Sequence, residues 1–191
     1  DSVGFDFHKW AHVPYDAGFL IVRDAEAQRR TFSAANAYLQ RAPKGLAGGG
    51  IWPSDIGPDL SRGFRALKTW FTIQTLGADK IGAAIENCCT VARHLEGALR
   101  AQALFEVVAP VTLNVVVWRV AGPVDDAINN EIAMDLHERG VAVPSMTTIA
   151  GRPALRAAIV NHRTCETHID AFLAELTATT ERLKPRFAKT A

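Results

Sequence analysis

The sequence predicts an α/β protein, and three observations support this prediction. Near the start, Val3, Phe5 and Phe7 alternate with small or polar residues, which is the two-residue period of a half-buried strand. From residue 81 to 99, apolar side chains recur every three or four positions, as in a helix with one face toward a core. From 105 to 164, β-prone runs alternate with helical patterns. The chain therefore combines sheet with covering helices.

The composition is that of an ordinary soluble globular protein. The chain has 191 residues, of which 48% are hydrophobic and 21% charged, and its formal net charge is +1. This length allows one or two domains with a real core. The near-neutral charge gives no general attraction to nucleic acid or anionic membranes, and no stretch is apolar and long enough to span a bilayer. Neither a nucleic-acid nor a membrane partner is expected.

The three cysteines, Cys88, Cys89 and Cys165, show no metal-ligand spacing, so no metal is expected. Reduced thiols are the simple interpretation, and they favour the cytoplasm. The N-terminus has no basic region followed by an apolar run of the kind that directs secretion. Cys88 lies on the apolar stripe of the 81–99 segment, which indicates a structural role.

The first 77 residues predict two strands, two helices and one long irregular loop. The strands lie within 1–23 and are joined by a turn, and a short helix follows from Asp24 to Arg30. Residues 33–58 are crowded with glycine and proline, and so long a loop is either functional or disordered. Ser61 is expected to cap the next helix, and Gly77 to end it.

The rest of the chain predicts a small α+β domain with one sheet and helices on one face of it. The domain boundary is placed at Gly77, so the domains are 1–77 and 78–191. The expected elements are a helix after Asp79, strands at 105–108 and 115–118, a helix at 123–139, strands at 141–149 and 154–160 joined by a turn at 151–153, and a last helix capped by Thr164.

Lys9 is the first candidate for chemistry. It follows the first predicted strand and stands between His8 and Trp10. An amine that is partly desolvated by aromatic and apolar neighbours is a usable nucleophile toward an aldehyde. The alternative is a surface lysine whose stem lies across the Trp10 ring.

Three stretches resemble the group II pyridoxal-phosphate-dependent amino-acid decarboxylases, which include the aromatic-amino-acid, histidine and glutamate decarboxylases. The first joins His8-Lys9-Trp10 to Val13-Pro14-Tyr15-Asp16-Ala17-Gly18 and is similar to the family's cofactor-lysine segment. The other two are residues 60–70, with the sequence LSRGFRALKTW, and residues 155–164, with the sequence LRAAIVNHRT. They occur in family order, so the resemblance spans nearly the whole chain.

The resemblance implies the pyridoxal-phosphate-dependent transferase fold, which is aspartate aminotransferase-like and called fold type I. Residues 1–77 would be the C-terminal end of the large cofactor domain, with the cofactor lysine and a mobile loop. Residues 78–191 would be the small C-terminal domain. The expected protein is a longer chain that forms a homodimer, binds pyridoxal 5′-phosphate and acts on an amino acid. The upstream groups that stack on the cofactor and pair with its pyridine nitrogen would lie outside this sequence.

The resemblance also implies roles for residues near Lys9. The Lys9 amine would condense with the cofactor aldehyde and be displaced by the substrate amine. His8 would position the lysine and the cofactor phosphate, or else be a spacer packed behind the lysine. Asp6 stands where many relatives carry Asn, and it would contact the phosphate or else be a solvated or hydrogen-bonded residue at the strand end. Tyr38 would protonate the substrate carbon from a mobile loop, or else anchor that loop.

Two further residues complete the predicted site. Ser61 would bind the cofactor phosphate at a helix N-terminus, or else be a plain cap. Arg156 lies in an apolar, strand-like run, where a guanidinium would grip a substrate carboxylate or form a structural ion pair.

The leading hypothesis is a carboxy-lyase that releases carbon dioxide and the amine, although the 191 residues are expected to be incomplete for catalysis. The alternatives are another fold-type-I enzyme, such as an aminotransferase or a lyase, and a truncated, non-catalytic fragment. Tyr38 distinguishes the decarboxylase from the other enzymes, because a decarboxylase needs a proton donor to the α-carbon. The identity of the amino acid cannot be read from these residues.

Overall fold

The computed structural model describes residues 1–33, 41–46 and 48–189 of the chain. It divides into two units, residues 1–77 and residues 78–191. Within the described ranges, no helix combines the length and apolar character needed to cross a membrane.

The first unit begins with an antiparallel hairpin of β1 (Ser2–Asp6) and β2 (Gly18–Val22). The register pairs Ser2 with Val22 at one end and Asp6 with Gly18 at the other. Three aromatic rings pack edge to face across the hairpin: the Phe7 centroid lies 5.0 Å from that of Phe5 and 5.4 Å from that of Phe19. These contacts hold the end of β1, where the chain turns, next to the start of β2.

Helix α1 (Ala25–Phe32) follows directly and has a well-formed N-terminus. The Asp24 carboxylate accepts hydrogen bonds from the backbone N–H groups of Glu26 and Ala27, at 3.0 and 2.9 Å. A side-chain oxygen at this position satisfies donors that the helix itself leaves unpaired. This helix was expected from the polar run after the hairpin, and it extends two residues beyond Arg30.

Helix α2 (Arg65–Leu76) begins later than the sequence predicts. Phe64 is its N-cap, and the expected cap Ser61 lies exposed before it, so the capping prediction is wrong. Gly63 lies between the two, and glycine is costly in a helix, so a start at Arg65 leaves it outside. The predicted end is confirmed, because Gly77 caps the helix at φ 81° and its N–H donates to the Ile73 carbonyl at 2.8 Å.

The second unit consists of a four-stranded antiparallel sheet and three helices. The sheet order is β3-β4-β6-β5. In chain order, the elements are α3 (Ala78–Arg100), β3 (Phe105–Val107), β4 (Val115–Val120), α4 (Ala127–Glu138), β5 (Ser145–Ile149), β6 (Arg152–Ala158) and α5 (Glu166–Leu183).

The helices cover one face of this sheet. Val116, Trp118 and Val120 alternate along β4 and are all fully buried. The Trp118 ring packs edge to face on Phe172 of α5, with centroids 6.0 Å apart, so these residues point toward the helices. The stripe predicted on α3 is confirmed at its C-terminal half, where Cys88, Ala92, Leu95 and Leu99 are buried.

Helix α4 also begins later than predicted, at Ala127 and not at Pro123. The residues expected to open it pair with the end of the chain. Val124 forms a bridge with Ala188, and the Asp125 N–H donates to the Phe187 carbonyl at 2.8 Å. This long-range pairing keeps the backbone at Val124 extended, so the helix begins at Ala127.

Two turns differ from the sequence expectation for local reasons. The β5–β6 turn is Ala150-Gly151, both with positive φ, and Arg152 and Pro153 already belong to β6. A two-residue turn with two positive φ angles matches the twist of a hairpin. At α5 the N-cap is Cys165 and not Thr164, whose N–H closes the preceding turn on the Asn161 carbonyl at 3.0 Å.

Asn129 is a buried polar residue that joins α4 to β4. Its amide oxygen accepts the Val120 N–H at 2.9 Å, and its amide nitrogen donates to the Asp126 carbonyl at 3.0 Å. Asn129→Ala should lower the free energy of unfolding by about 1–3 kcal/mol, because the Val120 N–H loses its acceptor. Urea unfolding measures this loss. The exposed neighbour provides the control, since Asn130→Ala should change stability by less than about 0.5 kcal/mol; equal effects would contradict this role.

Candidate active site

Lys9 lies in the turn that follows β1. Its backbone N–H donates to the Asp6 carbonyl at 3.1 Å, which closes the turn immediately after the strand. The side chain is 65% exposed. The expectation that neighbouring aromatic residues desolvate Lys9 is therefore wrong for this chain, because the turn directs the side chain to solvent instead of continuing the strand pleat.

The segment between the strands is closed by its own backbone. The Phe7 N–H donates to the Ala17 carbonyl at 2.9 Å, and the Val13 N–H donates to the Phe7 carbonyl at 3.1 Å. Ala11, Val13 and Ala17 are buried within it. The turn is thus a small packed structure, and Lys9 projects from it.

His8 ties the two ends of this segment together. Its Nδ1 accepts the Ala17 N–H at 2.9 Å, so the neutral ring carries its hydrogen on Nε2. Nε2 lies 4.0 Å from Asp6 Oδ1, and the ring packs edge to face on Tyr15 at 4.6 Å. The imidazole is mostly buried, so it supports the turn that carries Lys9; its role toward a cofactor stays a prediction.

Asp6 makes the closest contact to the Lys9 amine. Its Oδ2 lies 2.6 Å from Lys9 Nζ. The hydrogen bond from Lys9 lowers the pKa of the Asp6 carboxyl; partial burial opposes this effect, and the charge of Lys9 adds to it. Asp6 is therefore a carboxylate at neutral pH, already paired with an ammonium group. The predicted contact of Asp6 with a phosphate stays a prediction.

A second ion cluster joins the turn to α2, and sequence reasoning did not single it out. Asp16 accepts a hydrogen bond from Arg65 Nε at 2.8 Å and lies 3.7 Å from Lys68 Nζ. Arg65 also lies 3.5 Å from Asp59. The sequence contains one indication of this cluster. Asp16 lies in the first stretch that resembles the family, and Arg65 and Lys68 lie in the second, at residues 60–70.

The glycine- and proline-rich region is more ordered in part than its composition suggests. Asp55, in a short 3₁₀ turn of residues Pro53–Asp55, is buried and accepts the Trp52 N–H at 2.8 Å. It also pairs with Arg41, whose guanidinium lies over the Trp52 ring at 5.2 Å. Tyr38 lies outside the described residues, so its predicted role remains a prediction.

The remaining predicted site residues are Ser61 in the first unit and Arg156 in the second. Ser61 is exposed ahead of α2. Arg156 lies on β6 in the second unit, where its Nη1 is 3.3 Å from Ser145 Oγ. Across the described ranges, Arg156 has no carboxylate within ion-pair distance, so the structural ion-pair alternative finds no partner there.

The geometry defines a site with one accessible primary amine, a carboxylate on that amine and an imidazole behind it. An exposed amine fits an aldehyde, which is the group that lysine attacks in covalent catalysis. Among residues 1–33, 41–46 and 48–189, no set of three or more His, Cys, Asp or Glu side chains is placed to hold a metal ion. The accessible Lys9 amine fits an aldehyde cofactor at its point of attachment.

A family model described as the pyridoxal-dependent decarboxylase conserved domain matches residues 1–121. This match covers more than half of the chain and includes the whole lysine turn. The chain therefore belongs to the pyridoxal-dependent decarboxylase family, and the resemblance seen in the sequence is confirmed.

Two curated relatives are themselves amino-acid decarboxylases. The chain is 29% identical over 170 residues to the aromatic-L-amino-acid decarboxylase of Bacillus atrophaeus, covering 86% of this chain and 35% of that protein. It is 33% identical over 165 residues to the histidine decarboxylase of Drosophila melanogaster, covering 86% of this chain and 19% of that protein. The chain thus spans about a third or less of the length of these relatives.

Solved structures confirm the fold. The crystal structure of Oryza sativa TDC with PLP and tryptamine has a TM-score of 0.84 and 26% identity, covering 96% of this chain and 39% of that one. The chain therefore has the predicted α/β fold of the pyridoxal-phosphate-dependent enzymes of fold type I, over the part that it spans.

The Asp16–Arg65 contact has a defined pH dependence. The hydrogen bond from Arg65 lowers the pKa of the Asp16 carboxyl below its ordinary value of 3.8, against a smaller effect of burial. A depressed folded-state pKa stabilises the fold above the unfolded-state value, and that stabilisation is lost as the pH falls through the folded-state value. In an NMR titration of the Asp16 carboxyl carbon, Arg65→Gln should move the midpoint up toward 3.8.

The exposed Arg62 supplies a matched control for this titration. Arg62→Gln removes the same charge from the same segment and should leave the Asp16 midpoint in place. If both variants moved the midpoint equally, the general field of the segment and not the Arg65 contact would be the cause.

Proposed function

We propose that this chain carries the cofactor lysine of a pyridoxal-phosphate-dependent decarboxylase that converts an amino acid to its amine and carbon dioxide. The observation that carries the proposal is the accessible Lys9 amine, held by the closed turn inside the region that matches the family. The whole protein's activity belongs to a longer chain, of which these residues supply the lysine.

In this proposal, Lys9 binds the cofactor aldehyde through its amine, yields that position to the substrate amine and takes it back after each turnover. Bound pyridoxal phosphate supplies the electron sink that accepts the electron pair left when carbon dioxide departs. His8 fixes the turn through the Ala17 N–H and so orients Lys9. Asp6 holds the Lys9 ammonium between reactions.

The other assigned roles rest on the family pattern. Tyr38 delivers the proton to the substrate carbon, Ser61 binds the cofactor phosphate, and Arg156 binds a carboxylate of the substrate. Among the described residues, the Arg156 guanidinium contacts Ser145 Oγ and no carboxylate, which supports an anion-binding role.

We further propose that residues 1–77 end the large cofactor domain, that 78–191 form the small domain, and that the whole protein is a cytoplasmic homodimer. The exposed apolar side chains of the α2 region, Phe64, Trp70 and Phe71, support an interface between protein surfaces. Three free cysteines support a reducing compartment.

Loading with pyridoxal phosphate tests the function proposed for Lys9. The unmodified chain should acquire a visible absorbance band distinct from that of the free cofactor and retain cofactor through desalting. Lys9→Arg should lose nearly all of both signals, because a guanidinium keeps the charge but does not condense with an aldehyde under these conditions. Lys68→Arg should retain both and is the control. Equal retention by the two variants would overturn the proposal.

A further inference from the structure

We propose that Asp6 is a positioning residue that gates Lys9. The Asp6 carboxylate holds the Lys9 amine in an ion pair, and Lys9 reacts with an aldehyde only after this ion pair separates. The inference rests on the proposed function, because it concerns how the proposed cofactor lysine becomes available. It adds a control step that the attachment of a cofactor does not itself require.

The contact is built into the turn. Asp6 and Lys9 are three residues apart, and the Lys9 N–H donates to the Asp6 carbonyl at 3.1 Å. This backbone bond brings the two side chains to the same side, where Oδ2 and Nζ lie 2.6 Å apart. The ion pair therefore costs little additional ordering, unlike a pair between distant surface side chains.

The surroundings leave Asp6 directed at Lys9. On the opposite strand, Asp6 pairs with Gly18, which presents no charged side chain. Within the described residues, the titratable groups that face the carboxylate are Lys9 and the His8 imidazole, whose Nε2 is 4.0 Å from Oδ1. Tyr15 packs on the His8 ring, and Asp16 is engaged with Arg65 and Lys68.

The chemistry explains why this pairing slows reaction. Condensation with an aldehyde needs the neutral amine: the ammonium first gives one proton to water, and the nitrogen then forms a bond to the carbonyl carbon. The carbon–oxygen bond breaks, and the oxygen leaves as water with the two remaining amine protons. Asp6 has a lowered pKa and is ionised at neutral pH, so it holds the Lys9 amine in the 2.6 Å contact and accepts no proton from it under these conditions. Removal of the carboxylate should therefore make the amine more reactive.

The test uses formaldehyde with cyanoborohydride at neutral pH, followed by peptide mass mapping of methylated lysines. Formaldehyde lacks a phosphate and a ring, so its reaction reports the availability of the amine without cofactor binding. Asp6→Asn should raise early methylation of Lys9 about 2- to 5-fold relative to Lys68, as expected for the loss of an exposed ion pair. Asp6→Glu, which restores a carboxylate, should return the rate toward that of the unmodified chain.

Two controls separate the gate from a general effect of charge. Asp1→Asn removes the same charge from the same hairpin, and it should leave Lys9 methylation unchanged. Raising the salt concentration to about 1 M screens exposed pairs, so it should increase Lys9 methylation in the unmodified chain and not in the Asp6→Asn variant. An unchanged rate in Asp6→Asn, or a rise without a carboxylate rescue, would overturn the inference.

Pyridoxal phosphate in place of formaldehyde distinguishes this inference from the proposed function. If the proposed function fails, pyridoxal phosphate shows no preference for Lys9 in either chain, whereas the formaldehyde result still reports the gate. If the gate fails, pyridoxal phosphate selects Lys9 equally fast with and without Asp6.

Discussion

The site depends on the closure of the segment between β1 and β2. Three hydrogen bonds, between Phe7 and Ala17, Val13 and Phe7, and Ala17 and His8, fold it into a packed turn. A lysine in an open loop would sample many positions, and its ordering would cost entropy at each encounter with a ligand. Here the backbone is fixed before any ligand arrives, and only the Lys9 side chain has to move. The same turn presents Asp6 to the amine and Asp16 to α2, so the proposed site of attachment and the contact with α2 share one structural element.

In the second unit, helices cover one face of the sheet. The alternation of Val116, Trp118 and Val120 buries one face of β4, and the Asn129 side chain joins that strand to α4 by accepting the Val120 N–H. The opposite face of the sheet carries Arg156, opposite Val117 on one side and Ser145 on the other. The guanidinium of Arg156 is thus on the face opposite the helices, while the packing of β4 lies on the helical face.

Much of this structure could be predicted from sequence where short-range signals agree. The alternation before Lys9, the α3 stripe and Gly77 all reflect local periodicity or backbone freedom, and each led to the observed element. Some errors have local causes, such as the Ser61 cap and the two turns, and others arose where distant contacts decide. Pro123 does not open α4 because Val124 pairs with Ala188, a partner that no local window contains. Lys9 was expected to be desolvated because of its neighbours in sequence, but the direction of the turn determines its exposure. The Asp16–Arg65 contact joins residues far apart in the chain, and their spacing gives no signal for it.

The proposed function requires that the turn make Lys9 the lysine to which an aldehyde cofactor attaches. Incubation of the chain with pyridoxal phosphate, reduction with borohydride and mass mapping of the modified peptides tests it most directly. The candidates are the six lysines of the chain, Lys9, Lys44, Lys68, Lys80, Lys184 and Lys189. We expect the reduced cofactor to be concentrated on Lys9. Labels scattered over the six lysines would contradict it, because they would show that the turn confers no selectivity on its amine.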